Sequence, residues 1–186
     1  MPGRDRRIGT TAERGAGVSP RPFPPVPHAK QNRAKRFKSG GSRMNVAAIL
    51  KAKGRLVSTA RPEDTIEEVA RKMAAKKIGA VVVVSEAGTV SGILSERDIV
   101  RWIGEKGASV LGKPASELMT KNVITCSEAN SLEEMMGVMT QGRFRHVPVV
   151  VDGQLAGIIS IGDVVKHHIA EVELEVTAMR EYLATG

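Results

Sequence analysis

Two short stretches set a hydroxyl and a carboxylate three residues apart: Ser95-Glu96-Arg97-Asp98 and Ser160-Ile161-Gly162-Asp163. Each follows an apolar run and opens a helical pattern, so each serine stands at a strand-to-helix boundary. A serine there accepts a hydrogen bond from a first-turn backbone N–H. An aspartate three residues on can return the bond and favours the positive end of the helix dipole. Capping alone accounts for either copy. Recurrence at equivalent positions opens a second reading. A carboxylate can accept both hydroxyls of a ribose diol, and unpaired N–H groups at a helix start suit an anion.

A second cluster, Arg143-Phe144-Arg145-His146-Val147-Pro148, gathers positive charge just before an apolar strand. Guanidinium groups match phosphate through paired donors; a solvated lead-in to the strand is the alternative. The corresponding stretch of the first half is Lys77-Ile78-Gly79-Ala80-Val81. It lacks the Arg-His pair, so two sites built on these stretches would not be equivalent. Other candidates are weaker. Cys126 is alone in the chain and reads as a small core residue rather than a reactive thiol. His167, His168 and Glu171 with Asp163 have helical spacing for a metal, but a solvated helix face explains the histidines better. No Cys–His or Ser–His–Asp arrangement is evident, and no acid or base converges on a substrate position. A non-catalytic protein is expected.

These residues are positioned by an internal repeat. Val57 to Val84 resembles Val123 to Val150 at an offset of 66 residues, which becomes 65 in the continuations Val90 to Arg101 and Leu155 to Lys166. Each copy reads as β-α-β-β-α. Asp64 and Asn130 are expected to cap the first helix of each, with Glu67 and Glu133 three residues on. The apolar faces Ile66, Val69, Ala70, Met73 and Leu132, Met135, Met136, Met139 follow i, i+3, i+4, i+7. Strands follow at Ala80 to Val84 and His146 to Val151, then at Val90 to Leu94 and Leu155 to Ile159. One such unit is too small to bury its sheet well; two share a core. A leading helix over Met44 to Ala52 and a long last helix from Ile161 to about Leu183 frame the pair. The stripe Val165, Ile169, Val172, Val176, Met179, Leu183 suits a helix–helix seam, with the first helix or with a second subunit.

The chain of 186 residues is long enough for one sizeable domain or two small ones. Its net charge of +8 suggests nucleic acid, but residues 1–43 carry +9 and residues 44–186 carry −1. The folded part therefore lacks a basic face, and with one Trp and one Tyr it lacks a stacking platform. Residues 1–43, basic and rich in proline and glycine, are expected to be a disordered arm or a non-native extension ahead of a start at Met44. Nucleic-acid contact is not expected of the folded part and would be confined to the arm. No apolar run is long enough to span a bilayer and no cleavable signal pattern is present, so a cytoplasmic location is the default. The expected organisation is an arm over 1–43, a first repeat with leading helix and linker over 44–114, and a second repeat with the long helix over 115–186.

From Met44 onward the chain resembles the CBS-domain pair, or Bateman module, through its GIxSxxD signatures and the stretch RHVPVVVDG. The resemblance implies an α/β fold of tandem β-α-β-β-α repeats with flanking helices, packed through their sheets to leave two clefts. It implies a regulatory, signal-transducing module that binds AMP, ADP or ATP, with NAD or S-adenosylmethionine also known ligands of the family. Carried over by motif, Asp98 and Asp163 would bind ribose, with Ser95 and Ser160 beside ribose or phosphate and Gly162 also in the site. Arg145, His146 and Arg97 would meet phosphate. Val57, Ser58 and Thr59, and Val123, Ile124 and Thr125, would line the adenine pockets. Lys77, Ile78, Gly79, Ala80 and Val81, and Val147 and Pro148, would add backbone and apolar contacts. The first copy departs from the pattern, with Val82 at the proline position. The resemblance also implies a homodimer and a separate protein as regulatory target. A structural dimer without ligand is the alternative.

Overall fold

The computed structural model describes residues 44–185, and residues 1–43, with the arm expected there, lie outside the described residues. The elements run α1 (Val46–Lys53), β1 (Thr59–Ala60), α2 (Ile66–Lys76), β2 (Ala80–Val84), β3 (Val90–Ser95), α3 (Glu96–Lys106), a 3-10 turn (Ala108–Gly112), α4 (Ala115–Leu118), α5 (Leu132–Gly142), β4 (His146–Val151), β5 (Gln154–Ser160) and α6 (Ile161–Thr185). The predicted β-α-β-β-α order occurs in full in the first repeat; in the second, α5, β4, β5 and α6 follow it but the leading strand is reduced to a single bridge.

In the first repeat β1 pairs parallel with β2, and β2 antiparallel with β3. In the second, β4 pairs antiparallel with β5, and a single parallel bridge from Cys126 to Val149 takes the place of β1. The paired residues after the linkers are thus Thr59–Ala60 and Cys126, one to two positions beyond the expected Val57–Thr59 and Val123–Thr125. The hairpin β4–β5 turns on Asp152 and Gly153, both at positive φ (50° and 80°). That is the backbone a two-residue type I′ turn needs, and Asp-Gly supplies it.

The helix caps lie one residue later than expected. Thr65 is the N-cap of α2 and forms a full capping box with Glu68; Ser131 caps α5 by accepting from the Glu134 N–H. Asp64 and Asn130 instead close the preceding turns, accepting from the N–H of Arg61 (3.0 Å) and of Ser127 (2.8 Å). Asp and Asn bond well in both settings. At Thr65 the reciprocal bond to Glu68 decides the cap; at Ser131 the hydroxyl alone caps, while Glu134 accepts from Asn130 Nδ2 at 2.8 Å.

Two apolar cores result. One joins Ile66, Val69 and Met73 of α2 to Val81, Val83, Leu94, Ile99, Ala115 and Leu118. The other joins Leu132, Met135 and Met139 of α5 to Val147, Val149, Ile159, Val164 and Cys126. Strand alternation sends Val81 and Val83 to the helices and Val82 to the opposite face, yet Val82 is also fully buried. Both faces of this sheet are therefore covered.

The framing helices cross over. Val46, Ile49 and Leu50 of α1 belong to the second core, while Ala115 and Leu118 of α4 belong to the first. Backbone bridges at the helix entrances match: Asn45 with Ser131, and Thr65 with Pro114. Grouping by chain order put the leading helix with the first repeat; in space it packs on the second. The signature glycines admit these helices. A Cβ on Gly157 would stand 2.7 Å from Leu50 Cδ2, and one on Gly92 would overlap the Met119 side chain. In α6 the faces Val164 and Ile161 turn inward, whereas Val165, Ile169, Val172, Val176, Met179 and Leu183 stay exposed, so that stripe does not pack on α1.

Candidate functional site

Both Ser-x-x-Asp motifs fold as capping pairs at the end of a sheet. Ser95 ends β3 opposite Ala80, the first residue of β2; Ser160 ends β5 opposite His146, the first residue of β4. The basic lead-in and the serine are thus brought to one sheet end by antiparallel register. The N–H of Glu96 donates to the carbonyl of Gly79 (3.1 Å), and that of Ile161 to the carbonyl of Arg145 (2.8 Å), fixing the junction in each copy.

Within each pair one carboxylate oxygen does the capping. Asp98 Oδ2 accepts from the Ser95 N–H (3.1 Å) and hydroxyl (2.6 Å), and Asp163 Oδ2 accepts from the Ser160 N–H and hydroxyl, both at 2.8 Å. The copies then diverge. Asp98 Oδ1 takes the guanidinium of Arg101, on its own helix, at 3.2 Å. Asp163 is instead met by the ammonium of Lys53, at 2.6 Å, from the last turn of α1. Burial acts to raise the Asp163 carboxyl, but Lys53 and the two Ser160 donors together hold it below the usual aspartate range.

His146 is the centre of the second site. Its pKa is lowered first by burial, then by the charges of Arg145 and Lys53; Asp163 and Glu96 oppose this. The ring also closes on the first repeat: a Cβ on Gly79 would meet His146 Cε1 at 3.3 Å and Glu96 Oε2 at 3.6 Å. Arg97 spans the same boundary, donating to the Arg143 carbonyl at 3.3 Å. Three cations, two carboxylates and the Ser160 hydroxyl thus converge where the repeats meet. Lys53 and Glu96 were not among the residues singled out from sequence. Lys53 belongs to neither repeat, and Glu96 looks like an ordinary first-turn acid.

The remaining predicted residues are placed less uniformly. The Ser58 hydroxyl accepts from Lys76 (3.0 Å) and the Thr59 carbonyl from Lys72 (2.9 Å). Thr59 lines an open hollow of about 300 Å³ with Ala60, Arg61, Asp64 and Lys72. Val57 and Ser58 precede β1, and parallel register carries them toward the end of the sheet that bears Ala80 and Ser95. Val123 and Ile124 are half-buried and Thr125 exposed ahead of the Cys126 bridge. Lys77, in left-handed conformation at φ 53°, caps the end of α2 and is exposed; Ile78 packs on the first core. The side chains of Val81 and Val147 point into the helix-backed cores, so only their backbone can face a ligand. Ala80 and Pro148 are buried, and Gly162 is exposed in the first turn of α6.

Cys126 is buried, and burial, with Glu134 nearby, pushes its thiol up to about 12, which disfavours the thiolate. His167 Nδ1 donates to the Asp163 carbonyl at 2.9 Å, and among the described residues no group of three or more His, Cys, Asp or Glu is arranged to hold a metal. No described helix is long and apolar enough to cross a membrane.

Comparison with known proteins accounts for the doubled geometry. The sequence profile of the CBS domain matches residues 55–105 and again 115–169. A mitochondrial CBS domain-containing protein of Arabidopsis thaliana is 30% identical over 161 residues, covering 82% of this chain and 78% of that protein. Among solved structures, a CBS-domain containing protein from Agrobacterium tumefaciens is 49% identical with a TM-score of 0.65, covering 67% of this chain and 99% of that one. The CBS domain pair of protein MJ0100, solved in complex with 5′-methylthioadenosine and S-adenosyl-L-methionine, is 26% identical with a TM-score of 0.62, covering 69% of this chain and 98% of that one. Two matched repeats, each closing its second strand onto a Ser-x-x-Asp helix start, make this chain a member of the CBS-domain family, as a pair of CBS repeats.

Proposed function

We propose that this CBS pair is a non-catalytic sensor that binds an adenosine nucleotide (AMP, ADP or ATP) at the boundary of its repeats, chiefly at the site around Asp163. The observation that carries this reading is the convergence of Asp163, His146, Arg145 and Lys53 at one sheet end. Asp163 offers Oδ1, which the cap does not use, to a ribose hydroxyl. Arg145, exposed on the approach to β4, offers paired donors to phosphate. The adenosine ligands of protein MJ0100 support the nucleoside part of the reading. At the Asp98 site Arg101 occupies the second carboxylate oxygen and Gly79 stands where the second repeat has Arg145. That site is assigned weaker phosphate binding.

The reading extends to assembly. The exposed stripe of α6, with Val100 and Ile103 exposed on α3, gives two apolar helix faces that a second copy would cover. Occupancy would then be read out by a separate protein target.

Calorimetric titration with AMP, ADP, ATP, NAD and S-adenosylmethionine tests the ligand. AMP, ADP or ATP is expected to bind more tightly than S-adenosylmethionine, which has no phosphate. Silence toward all five defeats the reading and leaves a structural dimer.

A further inference from the structure

We infer that Lys53 is a phosphate-binding residue of the Asp163 site, held on Asp163 Oδ2 while the site is empty and transferred to the ligand's phosphate when nucleotide enters. The inference rests on the adenosine-nucleotide reading above. It adds a residue from outside both repeats.

Three observations lead to it. First, the two copies neutralise their aspartates differently. Asp98 is paired by Arg101 at i+3 on its own helix, a local pair at 3.2 Å. The corresponding residue of the second copy is Lys166, which is exposed, and the partner of Asp163 comes instead from 110 positions away. Second, Lys53 shares one carboxylate oxygen with both Ser160 donors: Oδ2 receives all three, and Oδ1 receives none of them. The two Ser160 donors preserve the cap without Lys53. Third, the charge of Lys53 already bears on His146 together with that of Arg145. The ammonium therefore lies within the same field as the two groups proposed for phosphate.

Lys53 has the reach to change partner. Its side chain is one-third exposed (34%), on a flexible four-carbon stem. Gly54, which follows, has φ +89° with open space where a Cβ would stand. The next basic residue, Arg55, is ion-paired to Glu128 of the second repeat, so the linker stays anchored when Lys53 changes partner. A dianionic phosphate entering this field gains a third cation, and the stem carries the ammonium from the carboxylate to it without movement of α1.

The test compares AMP with adenosine by calorimetry on the full chain, for the wild type, K53Q and K53R. K53Q is expected to weaken AMP about tenfold or more, as loss of a charge-assisted hydrogen bond does. Adenosine should bind K53Q about as well as the wild type, because the Oδ1 offered to ribose is not the oxygen that Lys53 holds. K53R, which keeps the charge, should retain the preference for AMP. Equal weakening of AMP and adenosine by K53Q would make Lys53 a structural pin and overturn the inference, as would an unchanged ratio of the two affinities. If the wild type binds AMP and K53Q keeps the ratio, the nucleotide reading stands and only the role of Lys53 falls. If the wild type binds neither ligand, both fall.

Discussion

Leu50 of α1 sits directly over Gly157 of β5, so close that a methyl group on the glycine would stand 2.7 Å from Leu50 Cδ2. The glycine of the GI signature is thus a packing residue that lets a helix from the start of the chain lie on the sheet of the second repeat. Leu50 is 1% exposed and has nowhere to retreat. G157A should destabilise the fold by about 1–3 kcal/mol through overpacking, read from the denaturant midpoint. Combining it with L50A should cost less than the sum of the two changes.

Ile49, fully buried in the second core, tests the crossover itself. I49A removes buried methyl groups and leaves a cavity, at a cost of about 2–5 kcal/mol. Amide exchange should then accelerate in α5, β4 and β5 before it does in β2 and β3. Equal loss of protection in both repeats would mean that they unfold as one unit.

Thr65 caps α2 through a reciprocal pair with Glu68, whose carboxyl is held below its ordinary range by the Thr65 N–H and then by its hydroxyl. T65A should cost about 0.5–2 kcal/mol. D64A should leave this cap intact, loosening the Arg61 turn and removing the ion pair with Lys72 of α2. A larger effect of D64A on helix stability would restore the cap to Asp64.

His146 should make stability depend on pH. Its folded pKa lies below the ordinary 6.5 because of burial and then Arg145 and Lys53. Below 6.5 the unfolded chain binds a proton that the folded chain resists, so stability rises with pH there and is lost as pH falls toward the folded value. In H146Q that part of the slope should disappear, measured by denaturation at a series of pH values below neutrality. A bound phosphate would favour the protonated ring, so AMP binding should take up protons near neutral pH. Calorimetry in buffers of differing ionisation enthalpy reads that uptake directly.

Much of this arrangement is legible in one sequence. The four hairpin strands and the Ser-x-x-Asp junctions follow from apolar runs, turn residues and internal repetition, which are local signals. The cap at Thr65 rather than Asp64 is harder to read because both residue types cap helices, and the choice depends on which glutamate reaches back. The seat of α1 is not readable from periodicity. The pattern of Val46, Ile49 and Leu50 says that a face is buried, not which sheet buries it. Lys53 escapes for the same reason: its partner lies 110 positions on, and a lysine at a helix end is ordinarily a favourable charge for the dipole. At Asp163 the spacing alone predicts a cap and the structure contains one. The ribose assignment depends on the oxygen that the cap leaves over.

The exchange of helices between repeats makes the chain indivisible at its own sequence boundary. A cut between Pro114 and Ala115 would strand α1 on a fragment that cannot shelter it, and α4 on a fragment that has no place for it. Each piece would display the apolar surface that the other lacks. Co-expressed, the two pieces should reassemble into one particle, and neither should persist alone. The autonomous parts are discontinuous in the chain, so a permuted protein that begins after α1 and rejoins that helix behind α6 would still have to return it to the same seat beside Gly157.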